Sequence, residues 1–574
     1  MATPLAETGS RGWAGLLPTA LLVALATGAL YSVNLGHLPH PDELHHILAA
    51  RGLIETGEPR IAEGLYTRGL LQTWLVAWSF DAFGVGLAAA RVPSVVAIAL
   101  LNGLFFVWLG REAGRAAAWV GTALWALSPF AIDTALFCRF YALQGLAFFI
   151  GCWLAYAAVV RARGLGWRLG LGLAALPFLA LAVQLQPTTL LGLVGLGAWA
   201  AGALLLPWLG SRAAPARTRL LAVLGLVLGG LLVLAGLHLG GQLAKLWAVY
   251  RSTPAFNEDS VGDFWFYHAW YSLLYPSLWP LVGVLGLAAV ARWPRPTGFA
   301  LVVFAVGFLL NSFAASKGLR YIFYTQIFLF VPWALGLVVL WQGLVGFVGG
   351  LTRRLGMTLQ PLTGRGVAIA RLLVAGALLF LVAANPAWLR STLLLADATV
   401  PPEKPRTDWS AARAALRPWL ETADVVVTTE ELGALYFLGR YDVRFSPSKM
   451  GELAPGERHE FGIDPRTGRP VIAENASVER LVACLDKGLV VGPRHHLGMA
   501  ILVNPALEAF LRGHARRLDL PPASRLYAFG WDHPNGWTPP PDAGCDGLPR
   551  FGGPEKRRPV EGEPVDGARL MSRS

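Results

Sequence analysis

Residues 37–46 read HLPHPDELHH, and they follow directly on the apolar run 12–34. Four histidines (His37, His40, His45, His46) and two acids (Asp42, Glu43) sit where an apolar segment of membrane-crossing length has just ended. A segment of that length spans a bilayer as a helix, so the cluster is read as the start of a loop at a membrane surface. The first run is long for a signal region and lacks a clean small-residue cleavage site, which favours a retained helix.

Further apolar runs fall near 86–110, 114–132, 140–160, 167–184, 188–208, 217–240, 272–291, 298–316, 321–343 and 367–388. The 574 residues are 55% hydrophobic and 15% charged, where a soluble domain carries about 25% charged residues. The expected fold class is therefore a polytopic α-helical membrane protein of about eleven transmembrane helices. The stretch 68–85 is apolar but short and carries Arg68 and Asp81, so it is read as an interfacial helix.

The net charge of +12 is a matter of topology. With the N-terminus inside, the cytoplasmic connections are REAGR (111–115), RARGLGWR (161–168), SRAAPARTR (211–219), ARWPRP (291–296) and TRRLGMTLQPLTGRG (352–366); together they hold one acid, Glu112. Basic short loops mark the cytoplasmic side, which leaves no need for a nucleic-acid partner. An odd helix count then puts residues 390–574 outside the cytoplasm. ADVVVTTEELGALYFLGRYDVRF (423–445) reads as strand, helix, strand, and 390–549 is expected to form an extracytoplasmic α/β domain, followed by a disordered tail at 550–574. Cys484 and Cys545 lie in that domain, and either a disulfide or two thiols fits.

On this topology the charged residues gather on the outer face. The first external loop (36–85) holds Asp42, Glu43, Glu63 and Arg68; FAIDTALFCRFYALQ (130–144) holds Asp133, Arg139 and Tyr141; the loop 241–271 holds Glu258, Asp259 and Asp263; and SKGLRYIFY (316–324) holds Lys317, Arg320 and Tyr321. Transporters keep charge near the bilayer midplane, whereas an enzyme that takes a group off a lipid phosphate needs a base and cations at the lipid surface. Plainer readings stand beside this one. An acidic pair next to a membrane helix is ordinarily solvated loop. Arg139 and Arg320, beside Tyr141 and Tyr321, suit interfacial anchoring. His45 and His46 are either surface histidines at a helix start or, with Asp42 or Glu43, ligands of a divalent metal. Glu430 and Glu431 lead a helix, where acids complement the dipole.

Four stretches in order, PDELHHILAARGLIETGEPR (41–60), GLYTRGLLQTWLVAWSFDAFGVGLAAARVPSVV (64–96), RFYALQGLAFF (139–149) and KGLRYIFYTQIFLFVPWALGL (317–337), resemble the GT-C superfamily. The likeness is to the branch with protein O-mannosyltransferases and lipid A aminoarabinose transferases, and it covers about residues 10–390. It implies a polyprenyl-phosphate sugar donor, an acceptor hydroxyl on a lipid, glycan or protein, and inversion at the anomeric carbon; the high Ala, Gly, Leu and Arg usage suggests a GC-rich bacterium, whose inner membrane would hold the chain. Carried over by position, Asp42 would be the general base, Glu43 its support through hydrogen bonds or a metal, and Asp133 a second acid. Arg139, Arg320, Lys317 and Arg68 would bind donor phosphate, and Tyr66, Tyr141 and Tyr321 substrate. Relatives have Lys-Pro after the first-loop Tyr; here LYTRGLL puts Gly69 there. The rival readings are a transporter or flippase of lipid-linked sugars and a non-catalytic cell-envelope assembly protein.

Overall fold

The computed structural model describes residues 15–209, 216–251, 262–356, 363–398, 406–453, 460–499, 501–534, 538–540 and 543–551; Glu258, Asp259 and the tail from 552 lie outside them. Two compact units emerge. One comprises Met1–Asn34, Ser94–Leu136 and Phe140–Val400, the other Leu35–Pro93, Phe137–Arg139 and Pro401–Ser574.

The first unit is helical. Among the described residues five helices are long and apolar enough to cross a membrane: Leu87–Ala113, Tyr141–Val160, Leu165–Leu185, Pro294–Ser312 and Phe323–Phe347. Two bent pairs, Val227–Leu239 with Gln242–Ala248 and Arg371–Ala383 with Ala387–Leu395, raise the number to seven if each pair is one span. Proline accounts for part of the difference from eleven. The run 114–132 breaks into Arg115–Ala126 and Pro129–Ala135, the second helix capped by Ser128 Oγ, which accepts the Ala131 N–H at 3.2 Å. The run 272–291 is interrupted between Leu274 and Val282, where Pro276 and Pro280 fall. Proline suits the first turn of a helix and removes a hydrogen bond from its interior. Aromatic rings fill the centre: Trp108 meets Phe149, Tyr156 and Phe299 edge-on at centroid distances of 6.1, 5.8 and 5.9 Å.

The second unit is built on a seven-stranded mixed sheet. Its strands are β3 (Val425–Thr428), β4 (Val443–Phe445), β5 (Gly462–Asp464), β6 (Arg469–Ile472), β7 (Lys487–Pro493), β8 (Arg516–Arg517) and β9 (Leu526–Asp532), in the order β5-β6-β4-β3-β7-β9-β8. β3 pairs in parallel with β4 and β7, and β4 with β6; the outer pairs are antiparallel. Side chains alternate across the sheet as the pleat requires. Val425, Val427, Val490 and Phe529 join a core with Leu481 and Leu511 on one face. Val426, Leu489, Val491 and Ala528 face the other way, into a core shared with Trp409 and Leu416 and with Leu44, Ile47 and Leu48 of the first-loop helix Pro41–Thr56. The loop after the first apolar run is thus part of this unit. Division of the chain by sequence order places 36–85 with the membrane part, whereas contact in space groups Leu35–Pro93 with Pro401–Ser574. Cys484 and Cys545 form a disulfide, with Cα atoms 5.5 Å apart.

Candidate functional site

The helix Pro41–Thr56 begins with an interlocked cap. Pro41 occupies the first turn, His40 Nδ1 accepts the Asp42 N–H at 3.1 Å, and Glu43 Oε1 accepts the His40 N–H at 2.9 Å. Glu43 is then fully committed. Its two oxygens take the Arg91 Nε–H and Nη2–H at 2.8 and 2.9 Å, and Oε2 also takes the Cys138 N–H at 2.8 Å. Arg91 reaches back with Nη1 to the carbonyls of Leu35 and His37 at 2.6 and 2.8 Å. Burial disfavours the charge on Glu43, but Arg91 and the two backbone donors outweigh it and hold the carboxyl at about 2. The second acid of the pair is a permanently ionised tie that joins residues 35–43 to Arg91 and to Cys138.

With Glu43 anchored inward, Asp42 faces outward, its side chain 28% exposed. It lines an open cleft of about 380 Å³ with His45, Leu65, Tyr66, Thr67, Arg68, Arg139, Pro465 and Arg466. Asp42 is the one carboxylate among these described lining residues, against three guanidinium groups. Arg139 is nearly buried; its Nη1 donates to the Asp42 carbonyl at 2.9 Å and to the Tyr66 hydroxyl at 3.3 Å. The Tyr66 ring lies 5.0 Å from that of His45. Asp42, Tyr66, Arg68 and Arg139, proposed from three separate stretches of sequence, are therefore brought to one cleft.

Arg466 was not anticipated. It enters on the turn between β5 and β6, gripped by Asp464 (2.6 Å) and Glu431 (3.3 Å), and Glu431 also binds Arg444 at 2.7 Å. The β1 (Arg60–Ile61) and β2 (Gly64–Leu65) hairpin docks on this turn, with the Glu63 and Leu65 N–H groups donating to the Thr467 and Pro465 carbonyls. Gly64 is required there, since a Cβ would lie 2.5 Å from the Arg466 carbonyl carbon. Arg91 was also missed. An arginine within an otherwise apolar run was its only signal.

The histidines do not form a metal set with Glu43. Burial and nearby arginines hold both rings well below their ordinary pKa, so they are neutral; His46 Nδ1 bonds Thr73 Oγ1 at 2.9 Å and His45 bonds Arg466. The Glu43 oxygens are occupied by Arg91, and among the described residues no group of three His, Cys, Asp or Glu could hold a metal ion. The donor set does not fit a divalent ion.

The remaining candidates lie in the helical unit. Asp133 and Arg320 line a small crevice of about 20 Å³ with Gln326 and Arg390. Arg320 lies 5.6 Å from the Tyr321 ring, and Tyr141 packs 6.5 Å from Tyr321. Lys317 is buried, its Nζ donating to the Ala314 carbonyl.

An exposed carboxylate among arginines, on a chain with several membrane-type helices, is an arrangement suited to proton abstraction beside a phosphate. No protein-family model and no curated protein sequence matches the chain. Solved structures do. ArnT from Cupriavidus metallidurans bound to undecaprenyl phosphate superposes with a TM-score of 0.57 at 16% identity, over 91% of this chain and 98% of that one. Its apo state gives 0.55 at 17% identity over 90% and 98%. The archaeal oligosaccharyltransferase AglB from Archaeoglobus fulgidus, in complex with an inhibitory peptide and a dolichol-phosphate, gives 0.52 at 15% identity over 84% and 69%. The chain shares the fold of these structures over most of its length.

Proposed function

We propose that the chain is a membrane glycosyltransferase that moves a sugar from a polyprenyl-phosphate donor to an acceptor hydroxyl, with inversion, and that Asp42 is its general base. The observation that carries this reading is the cleft itself, where one carboxylate faces three arginines while its neighbour Glu43 is locked away from chemistry. The likeness in fold to proteins bound to undecaprenyl phosphate and dolichol-phosphate supports the donor class. In the step proposed, the acceptor oxygen attacks the anomeric carbon and its proton passes to an Asp42 carboxylate oxygen. The bond from that carbon to the phosphate oxygen breaks, and the electron pair leaves with the polyprenyl phosphate. Arg139 and Arg68 stabilise the departing charge, and no metal enters the step. Arg320 and Lys317 keep the phosphate-binding role that the resemblance implies, Asp133 that of a second acid, and Tyr66, Tyr141 and Tyr321 that of substrate contacts. The acceptor is a lipid, glycan or protein at the outer face of a bacterial inner membrane. The eleven-crossing topology, with the sheet-bearing part outside the cytoplasm, goes with this reading and is supported by the basic short loops.

The test is transfer from radiolabelled polyprenyl-phosphate sugars by wild type and by Asp42→Asn at matched expression. Removing a placed base costs about 10²–10⁴ in rate. Equal transfer by both would remove Asp42 from the mechanism. No transfer by either well-folded protein would favour the transporter or assembly reading.

A further inference from the structure

The link between the cleft and the sheet at Arg466 has a chemical consequence. His45 Nε2 lies 2.9 Å from Arg466 Nη1. A guanidinium has only donors, so Nε2 must present its lone pair. The ring proton is then on Nδ1, 3.3 Å from the Asp42 carbonyl, which can only accept. Two neighbours thus assign the tautomer from opposite sides of the ring. The same carbonyl takes the Arg139 Nη1–H at 2.9 Å. The Asp42 peptide is held by donors from two different segments, next to the cap that His40 and Glu43 close.

We propose that Arg466 is a positioning residue for the base: it fixes the tautomer of His45 and, through His45, the backbone from which the Asp42 carboxylate enters the cleft. The proposal rests on the reading of Asp42 as the base. Arg466 is itself rigid, because Asp464 accepts its Nε–H at 3.1 Å, its Nη2–H at 2.6 Å and its backbone N–H at 3.0 Å, while Glu431 accepts at 3.3 Å. The turn that carries Arg466 is fixed in turn by the hairpin Arg60–Leu65, with Glu63 bound to Arg469 at 2.8 Å. A conformation set in the sheet region therefore reaches the base through one imidazole.

A protonated His45 would turn Nε2–H against the Arg466 N–H, two donors and two positive charges facing each other. The ring meets charged or titratable groups on three sides: Asp42 and the neutral His46 from its own helix, Arg139 from the segment 137–139, and Arg466 from the β5–β6 turn, with the Tyr66 ring tilted against it. Burial first, then Arg139 and Arg466, hold it neutral, against a smaller opposing pull from Asp42. Without Arg466, Nε2 is free to take a proton as the pH falls. Burial and Arg139 remain, so the ring's pKa moves back toward, without reaching, the ordinary imidazole value of about 6.5.

The experiment uses the full chain in detergent or nanodiscs and two readouts, transfer rate and apparent melting temperature, each from pH 5 to 8. The proteins are wild type, Arg466→Met, Arg466→Lys and the double variant Arg466→Met/His45→Gln. In Arg466→Met, kcat should fall by up to about 100-fold, the scale of a misplaced catalytic group. Donor KM should change little. The variant should also gain an acid limb absent from wild type. Arg466→Lys, which keeps a donor and a charge, should recover most of kcat and lose that limb; the double variant should lose the limb without recovering kcat.

The melting readout does not depend on transfer. In wild type His45 stays neutral when folded, so below about pH 6.5 the unfolded chain binds a proton that the folded one does not, and stability falls with pH. Arg466→Met should flatten that fall, and the double variant should flatten it as well. A uniform loss of activity at every pH in Arg466→Met, with a melting profile parallel to wild type, would overturn the proposal and leave Arg466 as scaffold. Absence of transfer in wild type would count against the glycosyltransferase reading, while the melting comparison would still decide whether Arg466 keeps His45 neutral.

Discussion

Arg91→Met should release the first-loop helix. Arg91 and Glu43 are both buried, at 0% and 1% exposure, and meet through two parallel hydrogen bonds. Removing the guanidinium strands a carboxylate that keeps only the His40 and Cys138 N–H groups as donors among those described for it. Two routes give the size of the effect. The carboxyl lies at about 2 rather than 4.5, which at about 1.4 kcal/mol per pH unit is worth about 3 kcal/mol. Breaking a buried pair from one side costs about 3–5 kcal/mol in general. Hydrogen exchange read over the helix Pro41–Thr56 reports this directly: a loss of about 3 kcal/mol is an opening equilibrium about 100-fold more favourable. The folded-state value is depressed, so the contribution is fully present above the ordinary carboxylate range and is lost progressively as pH falls from there to about 2. Wild-type protection should therefore not weaken on this account between pH 8 and pH 5. The double variant Glu43→Gln/Arg91→Met should cost less than the sum of its two single changes, because each single change leaves one buried partner without its ion. Exchange in Arg91→Met within a factor of three of wild type, or strict additivity in the cycle, would refute the view that this pair anchors the base.

Two further outcomes follow from local geometry. Gly64→Ala places a methyl 2.5 Å from the Arg466 carbonyl carbon and the Gly468 nitrogen; lifting the hairpin off the turn should cost about 1–3 kcal/mol, seen as faster proteolysis within residues 57–69 and a lower melting temperature. Glu430 is raised to about 7, first by burial and then by Glu431. Since its folded value lies above its ordinary one, it destabilises the fold increasingly as pH rises through that interval, so Glu430→Gln, which keeps the oxygen that accepts from Trp409, should raise the melting temperature at pH 8 and leave it unchanged at pH 4.

The parts of this molecule that were legible in the sequence are those written in local pattern. Apolar runs and proline-bounded turns mark the helical unit, and VVV at 425–427 with LVV at 489–491 marks strands buried on both faces. The PDE of 41–43, opening a helix beside a membrane run, marks the cap and the cleft. What the pattern does not carry is pairing across the chain. Nothing near Glu43 in the sequence points to Arg91, 48 residues on, which binds both its oxygens. Nothing near His45 points to Arg466, 421 residues away, which donates to its Nε2. The same blindness split the first loop from the sheet it covers, since Leu44, Ile47 and Leu48 have the spacing of any buried helix and do not say what buries them. Pro129, Pro276 and Pro280 interrupt the helix inside an apolar run without making it polar, so apolar runs and helices do not map one to one.

The measurement that bears most directly on the central claim is sugar transfer from a panel of polyprenyl-phosphate donors, with wild type and Asp42→Asn compared at equal folded protein. Hydrogen exchange over Pro41–Thr56 would confirm that the variant's cap is intact. The account predicts transfer by wild type from one donor and a rate lower by about 10²–10⁴ in Asp42→Asn. Transfer undiminished in Asp42→Asn would contradict it.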